Sequence, residues 1–226
     1  MTAIPSSILL RQVRIDEATH GAFRARERFH REAVDLIGRE KLLAPAFSFR
    51  VVELDAPAEE VLRVGGETLY APRMLPESGE LIGLACGVVT IGPALEKRVS
   101  SLFAEKCVSL ALALDDIGNQ LLLAATRHAQ DRMLASTRAR GLSMAGELRP
   151  GDPGLALQTQ ALVLRLADAA SIGVSASRGH ALTPHKSISM VLGVGIDLPP
   201  ARWSRCDDCP SREKCRVANC PAQPAA

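Results

Sequence analysis

The strongest constraint on the fold is a pair of apolar segments separated by Gly92-Pro93. The first, Leu81 to Ile91, is a continuous apolar run of strand length, and the second is a helical apolar stripe over about 109–140. The first half of that helix is almost entirely apolar, which predicts burial on most of its sides. Between the two, residues 93–105 place their apolar side chains on one helical face, and Pro93 suits the first turn. The core is therefore predicted to form around one apolar strand and one long helix.

Further strands and helices are predicted on either side of this block. Phe47 to Leu54 and Ser187 to Ile196 alternate as strands do, and two short strands flank the Gly65-Gly66 turn. The remaining segments are predicted as helices over 15–43 and 155–169, a polar loop over 146–154 and a strand-like segment over 172–177. Strands and helices do not alternate strictly, which predicts an α+β fold rather than a doubly wound α/β sheet.

One face of the last predicted strand consists of small residues. Ser189, Gly193 and Gly195 lie there, opposite an apolar face that runs from Ile188 to Ile196. A face of this kind is either exposed to solvent or closely approached by a ligand or a helix.

Composition and charge exclude several classes of protein. The chain has 226 residues, 47% of them apolar and only 3% aromatic, which predicts one large domain, or one domain with appendages, around an aliphatic core. A formal net charge of +2 without a basic stripe argues against a nucleic-acid partner. The longest apolar stretch, Cys107 to Leu114, is too short for a bilayer span, and the first residues lack a secretory pattern. We therefore expect no membrane association and a cytoplasmic location.

The C-terminal segment carries the sharpest chemical signal. Its cysteines have the spacing C-x2-C-x5-C-x4-C and are Cys206, Cys209, Cys215 and Cys220. Four thiolates within fifteen residues fit tetrahedral zinc or a [4Fe-4S] cluster, with free thiols or an inducible disulfide as the alternative. The segment offers only Trp203 and Val217 as sizeable apolar groups, so bound metal would have to supply its folding energy. Cys86 and Cys107 stand singly in apolar sequence.

These patterns divide the chain into three parts. We predict an N-terminal helical segment at 1–48, a domain at 49–198 and a cysteine-rich metal-binding tail at 199–226. Pro199-Pro200 marks the second boundary.

Other candidate residues carry weaker signals. Arg149, Pro150 and Gly151 form a tight turn whose arginine suits a carboxylate or phosphate, although such loops usually only connect elements. His185 and Lys186 stand in a turn before the last strand, where a lone histidine is most often a surface residue. The remaining candidates are histidines predicted to be solvated on helical faces (His20, His30 and His128) and an Asp115-Asp116 pair predicted to meet a polar cleft or a neighbouring element.

Four segments in order resemble a known family. They are V-T-I-G-P-A-L-E, L-D-D-I-G-N, R-P-G-D-P and I-G-V-S-A-S-R-G-H-A-L-T-P-H-K-S-I-S. Together they resemble the activation (reactivation) domain of cobalamin-dependent methionine synthase over about residues 49–196. The resemblance implies a curved antiparallel sheet with long flanking helices, binding of S-adenosylmethionine and docking on a corrinoid domain. In that family, the oxidised cobalt of the corrinoid domain is reduced by an external electron donor and is then remethylated. It also implies a ligand role for Asp115, Arg149, Pro150, Gly151 and Lys186.

The chain departs from the family at several ligand positions. The family loop reads roughly R-x-x-P-G-Y, whereas Glu147 stands here at the arginine position and Asp152 at the tyrosine position. Leu123 and Arg178 occupy two positions that usually carry glutamate. Arg149 lies two residues after Glu147 and would have to take the place of the family's arginine. These departures imply that S-adenosylmethionine binds weakly or not at all.

Two functions remain open on this basis. The first is an accessory protein for the reductive reactivation of a corrinoid-dependent methyltransferase, with the tail holding an iron–sulfur cluster that passes electrons from a donor protein. Free-standing relatives of the family often end in such a cysteine cluster. The second is a non-catalytic binding module on the same scaffold, with structural zinc at the same four cysteines.

Overall fold

The computed structural model describes residues 2–10 and 21–199. Its helices are α1 (Ser6–Leu10), α2 (Gly21–Glu40), α3 (Ala94–Ala104), α4 (Val108–Arg138) and α5 (Gln160–Leu166). Its strands are β1 (Thr2–Ala3), β2 (Ala46–Glu53), β3 (Val61–Val64), β4 (Glu67–Tyr70), β5 (Glu80–Thr90), β6 (Ser143–Leu148), β7 (Ser175–Ala176), β8 (Leu182–Thr183) and β9 (Ser187–Ile196). Three short 3₁₀ turns lie at Pro72–Met74, Leu157–Thr159 and Ala169–Ile172.

Five strands form one antiparallel sheet in the order β1-β2-β5-β9-β6. The apolar strand β5 lies at its centre, between β2 and β9. Two hairpins, β3-β4 and β7-β8, stand outside the main sheet. The combination of an antiparallel sheet with long flanking helices confirms the predicted α+β class.

The sheet separates two apolar layers. On one face, side chains of α1 to α4 pack against alternate residues of β9, among them Met190, Leu192 and Val194. On the other face, the β3-β4 hairpin and α5 pack against Val191 and against Cys86 of β5. Of the two alternatives for the small-residue face of β9, close approach is correct, because Gln160 of α5 donates a 2.8 Å hydrogen bond to Ser189.

Helix α4 is long and apolar enough to cross a bilayer by length and composition alone. Half of its apolar window is nevertheless buried inside the protein, where Leu114, Ile117 and Leu121 are fully enclosed. This is the behaviour of a core helix that is covered by other elements. The long helix thus fills the role that its sequence pattern predicts.

Several predicted segments are wrong in detail. Residues 146–148 belong to β6 and not to a loop, and the predicted helix over 155–169 is a 3₁₀ turn followed by the shorter α5. The strand-like segment at 172–177 contributes only the two residues of β7. The helix predicted over 15–43 is α2, which ends at Glu40. The division of the chain at residues 48 and 198 stays a prediction.

The two single cysteines differ in environment. Cys86 is buried in the layer below β5, and burial raises the pKa of its thiol to about 12. Cys107 is exposed just before α4, which corrects the apolar surroundings expected for it. Because a buried thiol with a raised pKa carries almost no thiolate at neutral pH, Cys86 is a packing residue.

Candidate functional site

Asp115 and Lys186, two separate candidates from the sequence, lie in contact in the structure. The Lys186 Nζ lies 2.7 Å from the Asp115 Oδ1 and donates a 2.6 Å hydrogen bond to the Oδ1 of Asn119, one turn further along α4. The lysine side chain is only 12% exposed, whereas the aspartate is 44% exposed. The ammonium group of Lys186 therefore contacts α4 at the protein surface, while the hydrocarbon part of the lysine side chain is buried.

The turn before β9 is fixed by α3 as well as by α4. The carboxylate of Glu96, in the first turn of α3, accepts backbone N–H groups from His185 at 2.7 Å and from Lys186 at 3.2 Å. The backbone carbonyl of Lys186 accepts the N–H of Ile91, where β5 has just ended. These contacts hold the turn to three elements of the core.

Gly118 of α4 leaves the space through which the lysine reaches Asp115. A Cβ atom on Gly118 would lie 3.4 Å from the Lys186 Cε and 2.8 Å from a Cδ atom of Leu95. The I-G-N part of the L-D-D-I-G-N segment is thus a packing requirement of the α3–α4–turn junction. Neither Glu96 nor Asn119 was selected from sequence, because nothing in the local pattern shows which turn they face.

We expect the Lys186–Asp115 pair to be worth about 0.5–1 kcal/mol of coupling energy, since one partner is substantially exposed and screened. The test is a double-mutant cycle of Lys186→Met and Asp115→Asn in urea denaturation, with the exposed Lys97→Met as the control for loss of a lysine charge. A coupling energy of zero would show that the ion pair does not stabilise the turn, which would then be held by its contacts to Glu96 and Ile91.

The second candidate group lies at the end of β6 and depends on a β-bulge. Ala145 pairs with Gly193 and Leu148 with Val191, so β6 carries one residue more than β9 over this interval. Gly146 takes up the extra residue at a φ of 68°, a conformation that suits glycine. The bulge directs the side chain of Leu148 into the apolar layer that contains α5. It directs the side chain of Glu147 toward α4, where Gln130 donates a 2.8 Å hydrogen bond to the Glu147 Oε2.

Glu147 also binds Arg149. The Nε and the Nη2 of Arg149 each lie 2.9 Å from the Oε1 of Glu147, and both side chains are more than three-quarters buried. The Asp152 carboxylate accepts the backbone N–H of Arg149 at 2.8 Å. The Glu147 carboxylate is thus engaged on both oxygens, one by Arg149 and the other by Gln130.

The loop that follows is built from two successive turns. The N–H of Asp152 donates to the carbonyl of Arg149, and the N–H of Leu155 donates to the carbonyl of Asp152. Gly151 and Gly154 have φ values of 96° and 91° and each follows a proline, the pattern of type II turns. Pro150 and Gly151 therefore shape the loop and fix the direction in which Arg149 leaves it.

The two groups do not form one site. Asn119 meets Lys186 and Gln130 meets Glu147, and these two positions on α4 are eleven residues, or about 16 Å, apart along the helix axis. Lys186 immediately precedes β9, and Val191 is the β9 residue that pairs with Leu148. These two residues are five positions apart, which corresponds to about 17 Å along an extended chain. Asp115 and Lys186 thus come together beside the first half of α4, whereas Arg149, Pro150 and Gly151 follow Glu147, which contacts the second half.

The histidines were partly misassigned. His30 is 8% exposed, and its Nε2 lies 2.9 Å from the Asp116 Oδ2, so it is a buried partner rather than a solvated residue. His128 is half-buried, and its ring makes a T-shaped contact with the ring of Phe47. His185 is a surface residue as predicted, with a side chain 75% exposed, whereas His20 lies outside the described residues.

Metal ligands are predicted only in the tail, and the four predicted ligands lie outside the described residues: Cys206, Cys209, Cys215 and Cys220. Within residues 2–10 and 21–199, no group of three or more histidine, cysteine, aspartate or glutamate side chains is placed to hold an ion. The assignment of the four tail cysteines as ligands stays a prediction.

The antiparallel sheet, the long helices on one face and the junction of α3, α4 and the turn before β9 define a methionine synthase activation domain-like fold. The chain is similar to the MetH reactivation domain, whose crystal structure was determined bound to AdoHcy. The two superpose with a TM-score of 0.62 and 11% sequence identity, over 88% of this chain and 75% of the other. At this identity the likeness concerns the fold. No protein-family model and no curated protein matches the chain.

Proposed function

We propose that this protein is an accessory factor for the reductive reactivation of a cobalamin-dependent methyltransferase. The observation that carries the proposal is the similarity of 88% of the chain to the MetH reactivation domain. The cysteine spacing of the tail adds support, because four thiolates at this spacing fit a redox centre that would carry electrons in a reductive role. The partner would be a corrinoid protein, and the electrons would come from a separate donor protein.

In this proposal Cys206, Cys209, Cys215 and Cys220 would hold a [4Fe-4S] cluster. The donor set fits, because a [4Fe-4S] cluster takes four thiolates, one to each iron. When bound, such a cluster supplies one-electron chemistry at low potential. The Arg and Lys residues between the cysteines would offset part of the negative charge of the four thiolates.

The residues of the loop that follows β6 do not fit the binding of a ligand carboxylate, although the resemblance to the family implies such binding. Arg149 is the sole arginine of the R-P-G segment, and its Nε and Nη2 are both within 2.9 Å of Glu147. A second carboxylate placed beside Glu147 would be repelled by it. We therefore assign no step to S-adenosylmethionine and expect it to bind weakly or not at all.

The occupied Arg149 favours a second candidate function, a non-catalytic binding module whose four tail cysteines hold structural zinc. Zinc fits the same four thiolates tetrahedrally and carries no redox chemistry. In this alternative the tail stabilises itself, and the protein contributes only a docking surface.

Anaerobic purification separates the two functions. The reactivation proposal predicts a brown protein with about four iron atoms per chain and a visible spectrum that bleaches on reduction. A colourless protein with about one zinc ion per chain would contradict the electron route and favour the module. Cys107→Ser is the matched control, because it removes an exposed thiol outside the tail.

A further inference from the structure

The end of the sheet at which β9 stops combines an exposed apolar side chain with two exposed carboxylates. Ile196, the last residue of β9, is 46% exposed. Glu80 is its antiparallel partner on β5, and Asp197 follows it in the chain. Both acidic residues are exposed, and the ion pairs between described residues include neither of them. An aliphatic group flanked by two carboxylates is therefore open to a partner at this end of the sheet.

The chain leaves the sheet directly beside this surface. Asp197 has a φ of 52°, a left-handed conformation that aspartate tolerates, and it turns the chain out of β9. The backbone N–H of Leu198 then donates a 2.8 Å hydrogen bond to the Ser143 Oγ, and the Leu198 side chain is buried in the layer of α5. The start of the tail is thus anchored within two residues of Ile196.

The first residues of the tail carry the complementary pattern. Trp203, the single tryptophan of the chain, stands between Arg202 and Arg205 in the segment R-W-S-R. It comes five residues after Leu198, a span of at most about 18 Å, so it can reach Ile196. Tryptophan and arginine are the side chains that most often dominate the energy of a contact surface, and the guanidinium group matches a carboxylate. A basic, aromatic and basic sequence therefore faces an acidic, aliphatic and acidic surface.

We propose that the segment 202–205 docks on the surface formed by Glu80, Ile196 and Asp197, with Trp203 against Ile196 and the two arginines beside the carboxylates. The contact is intramolecular, so it forms at a high effective concentration and needs little intrinsic affinity. It depends neither on which metal the tail binds nor on the reactivation role.

Docking would fix the position of the predicted metal centre. Cys206, the first predicted ligand, is three residues after Trp203, so their Cα atoms would lie within about 11 Å of each other. Strand β9 is ten residues long, about 33 Å, so the centre would lie at the end of the sheet remote from Lys186. If the centre is the proposed cluster, its electron-transfer partner would have to approach the end of the sheet at Ile196.

The test measures how accessible Trp203 is in the full chain. Tryptophan emission and quenching by acrylamide are recorded for the wild type and for Ile196→Ser. Leu112→Ser is the matched control, because Leu112 is an exposed aliphatic residue near the other end of α4. The metal content of every protein is measured in parallel, so that failure of the electron route and failure of the docking are seen separately.

We expect the ratio of docked to undocked Trp203 to fall about fivefold or more in Ile196→Ser, because the aromatic ring loses its apolar partner. The emission should shift to longer wavelength and the quenching should increase, at unchanged metal content. The control Leu112→Ser should match the wild type.

An exchange of charges tests the two arginines and serves if the serine variant does not fold. Glu80→Lys with Asp197→Asn should expose Trp203, and so should Arg202→Glu with Arg205→Glu, because each pair of changes removes the attraction between the segments. Asparagine is used at position 197 because it also tolerates the left-handed backbone. All four changes together should restore part of the protection, since the charges are then opposite in sign again.

Three results would overturn the proposal. The first is a wild-type Trp203 that is quenched as readily as N-acetyltryptophanamide in solution. The second is a folded Ile196→Ser protein with full metal content whose Trp203 is as protected as in the wild type. The third is protection that disappears on dilution of the wild type, because a second copy of the chain would then cover the tryptophan.

Discussion

Gly195→Ala should lower the free energy of unfolding by about 3 kcal/mol or more, the largest effect expected of a single added methyl group in the sheet. A Cβ atom at this position of β9 would overlap the backbone carbonyl oxygen of Glu80 and lie 2.9 Å from its carbonyl carbon. Backbone atoms of a paired strand cannot move aside as a side-chain end can. The β5–β9 pair, which carries the centre of the sheet, would have to separate at this end.

Two further glycine-to-alanine exchanges calibrate the measurement. Gly193→Ala places a Cβ atom 3.0 Å from the carbonyl oxygen of Ala145 and should cost about 1–2 kcal/mol. Gly38→Ala lies on the exposed side of α2 with nothing within 4 Å and should stabilise by about 0.5 kcal/mol. Urea denaturation at constant slope measures all three. Equal stabilities of the Gly195 and Gly38 variants would contradict the strand pairing described for β5 and β9.

Replacement of Cys209 and Cys215 by serine should remove all bound metal and leave the body of the protein folded. Two of four thiolates are lost, and the remaining pair cannot complete a tetrahedral shell or retain a cluster. The tail has too little apolar sequence to order itself, so metal loss should be visible in the fluorescence of Trp203, the single tryptophan of the chain. The far-ultraviolet circular dichroism should change little.

Truncation after Leu198 provides the complementary variant. It keeps Leu198, which is buried in the layer of α5, and removes the whole tail. Metal content should fall to zero while a cooperative unfolding transition remains, and Cys107→Ser should retain the full metal content. Full metal in the double serine variant would refute the ligand assignment, and collapse of the truncated protein would show that the tail belongs to the core.

The strands and the long helices were predictable because their signals are local. Residues 81–91 and 187–196 have the length and the apolar content of strands, and β5 and β9 lie there to within one residue. The helix predicted over 109–140 is α4, displaced by one or two residues at its ends. In each case one run of side chains determines the element.

Strand β6 was missed because its alternation is interrupted. Gly146 adds one residue to the strand, so Ala145 and Leu148 both belong to the layer of α5 although three positions separate them. A simple period of two then fails, and the following Pro-Gly turns add to the appearance of a loop. A glycine within an otherwise strand-like S-M-A-G-E-L segment was the available signal for a bulge.

The candidate sites illustrate a second limit. Lys186 and Asp115 are 71 residues apart in sequence, and His30 and Asp116 are 86 residues apart. Residue type and resemblance selected the first pair, but only the packing of α4 against the turn before β9 brings its members together. His30 was predicted to be solvated because charged residues surround it in sequence. The sequence does not show that His30 lies on the face of α2 that α4 covers.

The proposed role in the reductive reactivation of a cobalamin-dependent methyltransferase can be tested on the methyltransferase itself. The most direct measurement is the rate at which methylated cobalamin returns, by its visible spectrum, in an oxidised corrinoid methyltransferase from the same genome supplied with a methyl donor and a reductant. We expect a faster return with the wild-type protein and no acceleration with the double variant Cys209→Ser plus Cys215→Ser. A return rate that is unchanged by the metal-loaded wild-type protein would contradict the proposed role.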